Sequence, residues 1–276
     1  MQMQHDKKLS KIGLVAGRGD LPEKIIRQCI NSGIDLFVIL ITEERPKSID
    51  KVPHTSLGVG SVGKAIKLFK EEHVENIVFA GGLKRPKFLS LKLDSGGVKL
   101  LARITKAKLN GDNKLLTTVI GFFEDNGFEI IGADEILEDA LMPLGVLGKV
   151  SPQGKQQGDV DVGKKMAQSI GKLDIGQSVI MQDGVVIGVE AIEGTDKLIE
   201  RCKDLQLEKK GGVLVKVKKP EQDKRVDLPT IGPVTIMKAH ENGLAGIAVE
   251  AGAALVIDKD EVVSMADEYG LFIVGV

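Results

Sequence analysis

The sequence is poor in aromatic residues and cysteine, and it has no long apolar run. It contains no tryptophan, one tyrosine and eight phenylalanines, which leaves few rings on which nucleic-acid bases could stack. Its two cysteines, Cys29 and Cys202, lack metal-ligand spacing and cannot build a disulfide scaffold, so we expect a reducing compartment. The longest apolar runs, such as 37–41, have the length of strands and fall far short of the roughly 20 residues of a membrane span.

An excess of charge of either sign is also lacking. The chain has 38 Lys and Arg against 39 Asp and Glu, a formal net charge of -1, which argues against a nucleic-acid partner. The first eleven residues are polar and charged, unlike a signal peptide, so we expect a cytoplasmic location. With 276 residues, 42% of them hydrophobic, the chain can form one large domain or two ordinary ones with buried cores.

Short apolar runs alternate with helical stretches through the first half of the chain. Residues 12–16, 36–41 and 77–80 are predicted as buried strands, and the segments between them have the pattern of helices. Continuous apolar strands separated by helices are typical of a parallel sheet covered on both faces. Residues 1–138 are therefore predicted to form a Rossmann-like domain.

The second half of the chain differs in composition and in its pattern of apolar residues. Proline and glycine are dense between residues 143 and 158, which predicts an interdomain linker over 139–158. Beyond it, Asp183-Gly184 between two apolar runs predicts a β-hairpin with a two-residue turn. Because a hairpin is antiparallel, residues 159–276 are predicted to form a mixed α/β domain, which we expect to be the catalytic one. The predicted fold class is α/β with two domains.

Two glycine-rich segments in the first half of the chain lie just before predicted helices. Gly17 and Gly19 lie between a strand and a helix, where backbone N–H groups can approach a phosphate, although a tight turn explains them equally well. The third small residue of a dinucleotide fingerprint is replaced by Pro22. Residues 58–64 match most of a Walker A loop, but Ala65 stands where the magnesium-binding hydroxyl belongs. A plain helix start with an exposed lysine is therefore the preferred interpretation there.

Two further sites in the sequence carry charge at positions suited to a ligand. Arg85 follows the third strand, where open α/β sheets bind ligands, and it is a candidate phosphate contact or simply part of a solvated loop. Glu190 and Glu193 precede a helix that starts at Thr195, and they are candidate Mg²⁺ ligands; capping of that helix by Thr195 or Asp196 is the simpler interpretation.

The stretch from residue 216 to 235 combines cations with a carboxylate. Lys216, Arg225 and Thr230 are candidate phosphate-binding residues, and Asp227 lies beside the arginine in a loop that contains Pro229. Cleavage of a pyrophosphate needs cations on the phosphate oxygens and a carboxylate that holds a metal or orients water. An edge strand leading into a charged loop explains the same residues, and the chemistry alone leaves both interpretations open.

Several blocks along the whole chain resemble the LpxI family, in the order expected for it. In the first half they are IGLVAGRGDLP (12–22), IVFAGGLKRP (77–86), GFEIIGADEIL (127–137) and LGKVSP (147–152). In the second half they are LDIGQSVIMQDGVVIGVEAIEGTD (173–196), RVDLPTIGP (225–233), GLAGIAVEAGAALVID (243–258) and GLFIVGV (270–276).

The resemblance implies a specific enzyme. The family hydrolyses the pyrophosphate of UDP-2,3-diacylglucosamine to 2,3-diacylglucosamine 1-phosphate, called lipid X, and UMP, a step of lipid A biosynthesis. It implies Mg²⁺ dependence, two α/β domains with the lipid held between them, a homodimer, and peripheral contact with the inner membrane from the cytoplasm. The key aspartate of the family corresponds to Asp227, which is both the expected catalytic residue and an expected metal ligand.

Two rival functions come from other classes of protein. A nucleotide-dependent oxidoreductase would use the Gly17/Gly19 turn, and stabilisation by a nicotinamide nucleotide but not by lipid X would indicate it. A non-catalytic lipid or nucleotide carrier would bind the intact substrate tightly and release no UMP.

Overall fold

The computed structural model describes residues 11–83, 91–106, 112–207, 211–220, 223–226 and 228–276. The chain divides into two compact units, residues 1–137 and residues 138–276. No helix in these described ranges is both long and apolar enough to cross a membrane.

The first unit is a parallel sheet with connecting helices, so the Rossmann-like prediction is confirmed. Its strands lie in the order β3-β2-β1-β4-β5, and every neighbouring pair is parallel. Its elements are β1 (Ile12–Ala16), α1 (Leu21–Ser32), β2 (Leu36–Leu40), β3 (His54–Ser56), α2 (Val62–Glu71), β4 (Asn76–Ala80), α3 (Ser95–Lys106), α4 (Asp112–Glu124) and β5 (Glu129–Ile131).

The core of the first unit is built from apolar strands and a cluster of phenylalanine rings. All residues of β1 and β2 are buried, which explains their continuous apolar sequence. The Phe69 ring packs edge-on against Phe37 and Phe128, with ring centroids 6.1 and 6.0 Å apart. Gly13 makes room for that ring, because a Cβ at this position would lie 2.6 Å from it.

The second unit contains a mixed sheet in the order β6-β13-β11-β9-β7-β8. The central strands β9, β11 and β13 are parallel, while β6 and the β7–β8 hairpin add antiparallel pairs, as predicted for a mixed α/β domain. Its elements are β6 (Gly145–Leu147), α5 (Lys155–Lys172), β7 (Ser178–Gln182), β8 (Val185–Val189), α6 (Thr195–Cys202), β9 (Gly212–Lys216), β10 (Thr230–Ile231), α7 (Pro233–Glu241), β11 (Leu244–Val249), β12 (Leu255–Val256), α8 (Lys259–Tyr269) and β13 (Phe272–Gly275).

The hairpin turn is held by a carboxylate from the preceding helix. Asp183 and Gly184 both have positive φ, 52° and 79°, as a two-residue turn of the mirror-image type requires. The buried Asp159 of α5 accepts the N–H groups of both turn residues, at 2.9 and 2.6 Å. The turn is thereby fixed against α5, and the hairpin prediction is confirmed.

The segment predicted as a linker contains regular structure. Strand β6 lies within residues 139–158, and α5 begins at Lys155, so the last four residues of the predicted linker are helical. Pro152 and Gly154 precede α5 and do not interrupt it, and Gly154 has a positive φ of 53°. The dense glycine and proline thus set the turns on either side of a short edge strand.

Candidate functional site

A buried lysine lies at the carboxyl end of β9 in the second unit. Lys216 is the last residue of that strand, is only 7% exposed, and donates from Nζ to the carbonyl oxygen of Thr230 at 3.0 Å. Lys216 pairs with the fully buried Ser178, which lies on the neighbouring strand β7. Paired residues of antiparallel strands have side chains on the same face of the sheet, so Ser178 and Lys216 share one face. Two of the predicted phosphate-binding residues, Lys216 and Thr230, are in direct contact.

Glu250, which directly follows β11, forms hydrogen bonds with the carboxyl end of β9. Its N–H donates to the carbonyl oxygen of Lys216 at 3.2 Å, and its carboxylate accepts the backbone N–H of Lys218 at 2.7 Å. The neighbouring Lys219 forms an ion pair with Asp174 at 2.8 Å. The carboxyl ends of parallel strands are where open α/β sheets bind ligands, and here that position is rich in lysine and polar oxygen.

Arg225 is bound by a nearby carboxylate. Its Nε and Nη2 donate to the two oxygens of Asp223 at 3.0 and 2.7 Å. The side-chain hydrogen bond from Arg225 holds the pKa of Asp223 below its ordinary value, against the opposing effect of burial. A phosphate contact by Arg225 stays a prediction, and it would compete with this fork-shaped pair. Asp227 lies outside the described residues.

Glu190 is buried at the start of a small polar network. Its carboxylate accepts the hydroxyl of Thr195 at 2.9 Å and the N–H of Gln177 at 3.2 Å. The Thr195 hydroxyl also lies 3.5 Å from that of Ser178. Glu190 therefore connects, through two hydroxyls, to the residue that faces Lys216.

Glu193 has a different environment, at a more exposed position. Its carboxylate pairs with Arg201 at 2.9 Å and accepts the N–H of Ala191 at 3.2 Å. A hydrogen bond from its own backbone, followed by the bond from Arg201, lowers the pKa of Glu193. The expected capping of α6 is wrong: its N-cap is Gly194, with no side-chain cap, and Asp196 lies 3.6 Å from Lys238 instead.

The acidic residues predicted as magnesium ligands do not belong to a ready-made metal cluster among the described residues. Across the described ranges, no group of three or more His, Cys, Asp or Glu side chains is arranged to hold a metal ion. Glu190 and Glu193 each use both carboxylate oxygens on protein donors. Metal binding by either residue stays a prediction and would require these hydrogen bonds to be exchanged.

The Gly17/Gly19 turn of the first unit uses its N–H groups within the protein. Gly17 donates to the carbonyl oxygen of Ala80 at 2.8 Å, and Gly19 donates to the carboxylate of Glu44 at 3.2 Å. A Cβ on Gly17 would lie 2.6 Å from the carbonyl oxygen of Gly82, so close backbone packing explains this glycine. Phosphate binding by Gly17 and Gly19 stays a prediction, and Arg85 lies outside the described residues.

The lysine-containing segment 58–64 is a helix start, as preferred from the sequence. Helix α2 begins at Val62 with Lys64 exposed, and the carboxylate of Asp94 occupies its N-terminus. That carboxylate accepts the N–H groups of Gly63 and Lys64 at 3.0 and 2.8 Å, and that of Gly97 in α3 at 2.8 Å. The protein supplies its own anion where a nucleotide phosphate would otherwise bind.

Two family models match consecutive stretches of the chain. The model described as the LpxI N-terminal domain matches residues 11–140, and the model described as the LpxI C-terminal domain matches residues 143–274. The chain belongs to the LpxI family. A relative from Caulobacter vibrioides (strain ATCC 19089 / CIP 103742 / CB 15), named UDP-2,3-diacylglucosamine pyrophosphatase LpxI, is 42% identical to it. The alignment extends over 274 residues and covers 97% of this chain and 98% of the relative.

Solved structures outside the LpxI family are only distantly similar. N5-carboxyaminoimidazole synthetase from Staphylococcus aureus has a TM-score of 0.25 and 14% identity, over 70% of this chain and 43% of that one. The precorrin-6A reductase CobK has a TM-score of 0.31 and 11% identity, over 95% of this chain and 98% of that one. At these TM-scores the likeness carries no argument about function.

Two polar residues of this candidate site had not been singled out from the sequence. Ser178 opens β7 and Glu250 directly follows β11, so both lie where Lys216 ends its strand. The signal available for Glu250 was its place after an apolar run, since strand ends on the carboxyl side carry ligand contacts. Ser178 gave no such signal, because its role depends on its pairing with Lys216.

Proposed function

We propose that this LpxI-family chain hydrolyses the pyrophosphate of UDP-2,3-diacylglucosamine to lipid X and UMP. The observation that carries the proposal is the 42% identity, over 97% of the chain, to a relative named for that activity. In the reaction, a water oxygen bonds to one phosphorus while the bridging oxygen leaves with the other. Both products are monophosphates, so the bond broken is the phosphoanhydride.

The lysine cluster at the end of β9 supports this chemistry. Cleavage of a phosphoanhydride depends on positioning and on cations that stabilise the negative charge of the phosphates. Lys216 is held in place by the Thr230 carbonyl, and Lys218 and Arg225 follow within ten residues. In the proposed reaction Lys216 and Arg225 bind the pyrophosphate oxygens, Thr230 fixes the lysine, and Asp227 orients the attacking water.

We also propose that activity depends on Mg²⁺, with Asp227 as a ligand. The proposal rests on the family resemblance, because the described carboxylates do not combine into a site of their own. When bound, the cation would add positive charge at the phosphates. UMP release should stop on addition of EDTA and recover with Mg²⁺, whereas unchanged activity in EDTA would contradict the proposal.

Partners and location complete the proposal. The substrate carries two acyl chains, which favour the bilayer by about 0.8 kcal/mol for each buried methylene, so we propose that the enzyme works peripherally at the cytoplasmic side of the inner membrane. We also propose a homodimer. Light scattering of the purified chain should give twice the 29.6 kDa chain mass, and a monomer at all concentrations would contradict it.

A matched pair of lysine variants tests the site. Lys216→Met removes the buried ammonium and should lower UMP release by about 100-fold or more, in line with the loss of one preorganised electrostatic contact. Lys64→Met, at an exposed position on α2, should leave the rate unchanged. Equal rates for the two variants would remove the β9 end from the mechanism.

The rival functions have less support. The N–H groups of Gly17 and Gly19 already donate to Ala80 and Glu44, which does not favour an oxidoreductase built on that turn. A carrier would bind UDP-2,3-diacylglucosamine without releasing UMP, so the same assay separates it from a hydrolase.

A further inference from the structure

Two loops of the second unit are in contact at the end of the sheet where Lys216 lies. Residues 173–177 lead into β7, and residues 190–194 follow β8. Gly176 lies directly against Glu190, since a Cβ on Gly176 would be 2.1 Å from the Glu190 carbonyl oxygen. The N–H of Gln177 also donates to the Glu190 carboxylate at 3.2 Å. The loops therefore lie side by side and close to the proposed phosphate site.

Large aliphatic side chains project from both loops. Ile192 is 91% exposed, Leu173 is 72% exposed and Ile175 is 47% exposed. We call these three residues the apolar tip. A single exposed aliphatic residue is ordinary, but here three lie on two touching loops, and exposed apolar residues grouped in this way are typical of sites of interaction.

Exposed lysines flank the apolar tip. The acidic residues nearest to it are each close to a base: Asp174 lies 2.8 Å from Lys219, Glu193 lies 2.9 Å from Arg201, and Asp196 lies 3.6 Å from Lys238. Lys172 and Lys197, which flank the two loops, are exposed. Lysines beside inserted aliphatic side chains are the combination found on proteins that bind a membrane surface.

We propose that the apolar tip, Leu173, Ile175 and Ile192, inserts into a lipid bilayer and docks the carboxyl end of β9 on it. The inference rests on the proposed function, because a diacylated substrate has to be taken from a membrane. The docking places Lys216 beside the headgroup layer, where the pyrophosphate of such a substrate would lie.

Vesicle binding by the full chain tests this surface. Burying one aliphatic side chain changes partitioning by about tenfold or more. The triple variant Leu173→Ser/Ile175→Ser/Ile192→Ser should therefore lose binding to phosphatidylglycerol-containing vesicles by about 100-fold or more. The matched control, Val185→Ser/Leu205→Ser/Leu207→Ser, removes exposed aliphatics from the opposite end of the sheet and should bind normally. Equal binding by both variants, or no binding by the unaltered chain, would overturn the proposal.

A fluorescent reporter keeps the test valid should the triple variant fold poorly. The chain has no tryptophan, so Ile192→Trp introduces a single one at the apolar tip, and Leu205→Trp introduces one at the opposite end. Vesicles should shift the emission of the first variant to shorter wavelength and leave the second unchanged. A shift of the first variant that grows with protein concentration in the absence of lipid would assign the surface to a second copy of the chain and overturn the proposal.

Activity toward two forms of substrate separates this inference from the proposed function. With a short-chain, water-soluble analogue, the apolar-tip triple variant should release UMP at the normal rate; with long-chain substrate in vesicles, its rate should fall with its binding. Normal rates on both forms would overturn the docking role while leaving the hydrolase intact. No UMP from the unaltered protein with either form would refute the proposed function, and the vesicle-binding result would then stand by itself.

Discussion

Replacement of Asp94 should destabilise the first unit through two helices at once. Its carboxylate accepts the N–H groups of Gly63 and Lys64 in α2 and of Gly97 in α3, and Ser61, the N-cap residue of α2, makes no side-chain cap of its own. Loss of one capping side chain typically costs about 1 kcal/mol. Asp94→Ala removes caps from two helices and should cost about 2 to 3 kcal/mol, while Asp94→Asn, which retains one acceptor oxygen, should cost about 1 kcal/mol.

The effect of Asp94 should also depend on pH. Burial by itself raises the pKa of Asp94, but hydrogen bonds from the backbone N–H groups of Gly97, Gly63 and Lys64 hold it below its ordinary value of 3.8. A carboxyl whose pKa is lower in the folded state contributes stability that is complete above its unfolded pKa. That contribution is lost as the pH falls through the folded pKa, so the gap between the native protein and Asp94→Ala should close in acid.

Urea unfolding of the full chain, combined with hydrogen exchange of peptides, measures this prediction. Peptides from α2 and α3 should lose protection in Asp94→Ala, and peptides from β9 and β11 of the second unit should not. A loss below about 0.5 kcal/mol, equal losses in the Ala and Asn variants, or a loss of protection spread over both units would refute the capping argument.

Three other changes have clear expected outcomes. Asp159→Ala removes two hydrogen bonds between a buried carboxylate and the N–H groups of Asp183 and Gly184, and it should cost about 2 kcal/mol in urea unfolding. A loss near zero would show that the turn does not need the carboxylate. Lys216→Arg should keep the fold and positive charge and recover part of the UMP release lost in Lys216→Met, and no recovery would indicate that charge alone is insufficient. Burial raises the pKa of Cys29 to about 11, so the native thiol should react slowly with a disulfide reagent at neutral pH and quickly in denaturant; rapid native labelling would contradict its burial.

Strands with continuous apolar sequence could be predicted closely. The interval Ile12–Ala16 matches β1 residue for residue, because an apolar run that ends at glycine is buried on both faces. Gly33 ends α1 with a positive φ of 65°, the left-handed conformation in which glycine commonly ends a helix. Local sequence was sufficient for both because each depends on its own residues and immediate neighbours.

Polar edge strands and distant caps could not be predicted in this way. Strand β3, His54–Ser56, has no apolar residue and exists because it pairs with β2. Asp20 and Glu23 have the spacing of a capping box, yet Asp20 makes no side-chain cap on α1, and Glu23 accepts hydrogen bonds from Ser48. Asp94 caps α2 although it lies 31 residues from Gly63 in the sequence, so no local pattern around α2 predicts this cap.

The candidate site was predictable in composition but not in geometry. The cations between residues 216 and 225 indicated phosphate chemistry, and Lys216 does lie in contact with Thr230. The involvement of Ser178 and Glu190 depends on strand pairing and on a turn that returns to β7, which only the tertiary structure provides. The hydrogen bonds that the carboxylates of Glu190 and Glu193 accept could likewise not be predicted from the positions of these residues in the sequence.

The most direct measurement is UMP release from UDP-2,3-diacylglucosamine by the purified full chain, compared with Asp227→Ala. The unaltered chain should form UMP and lipid X in equal amounts in the presence of Mg²⁺. Asp227→Ala should remain folded and bind substrate, yet turn it over several orders of magnitude more slowly. Intact substrate after incubation with the unaltered chain, or near-normal turnover by Asp227→Ala, would contradict the account.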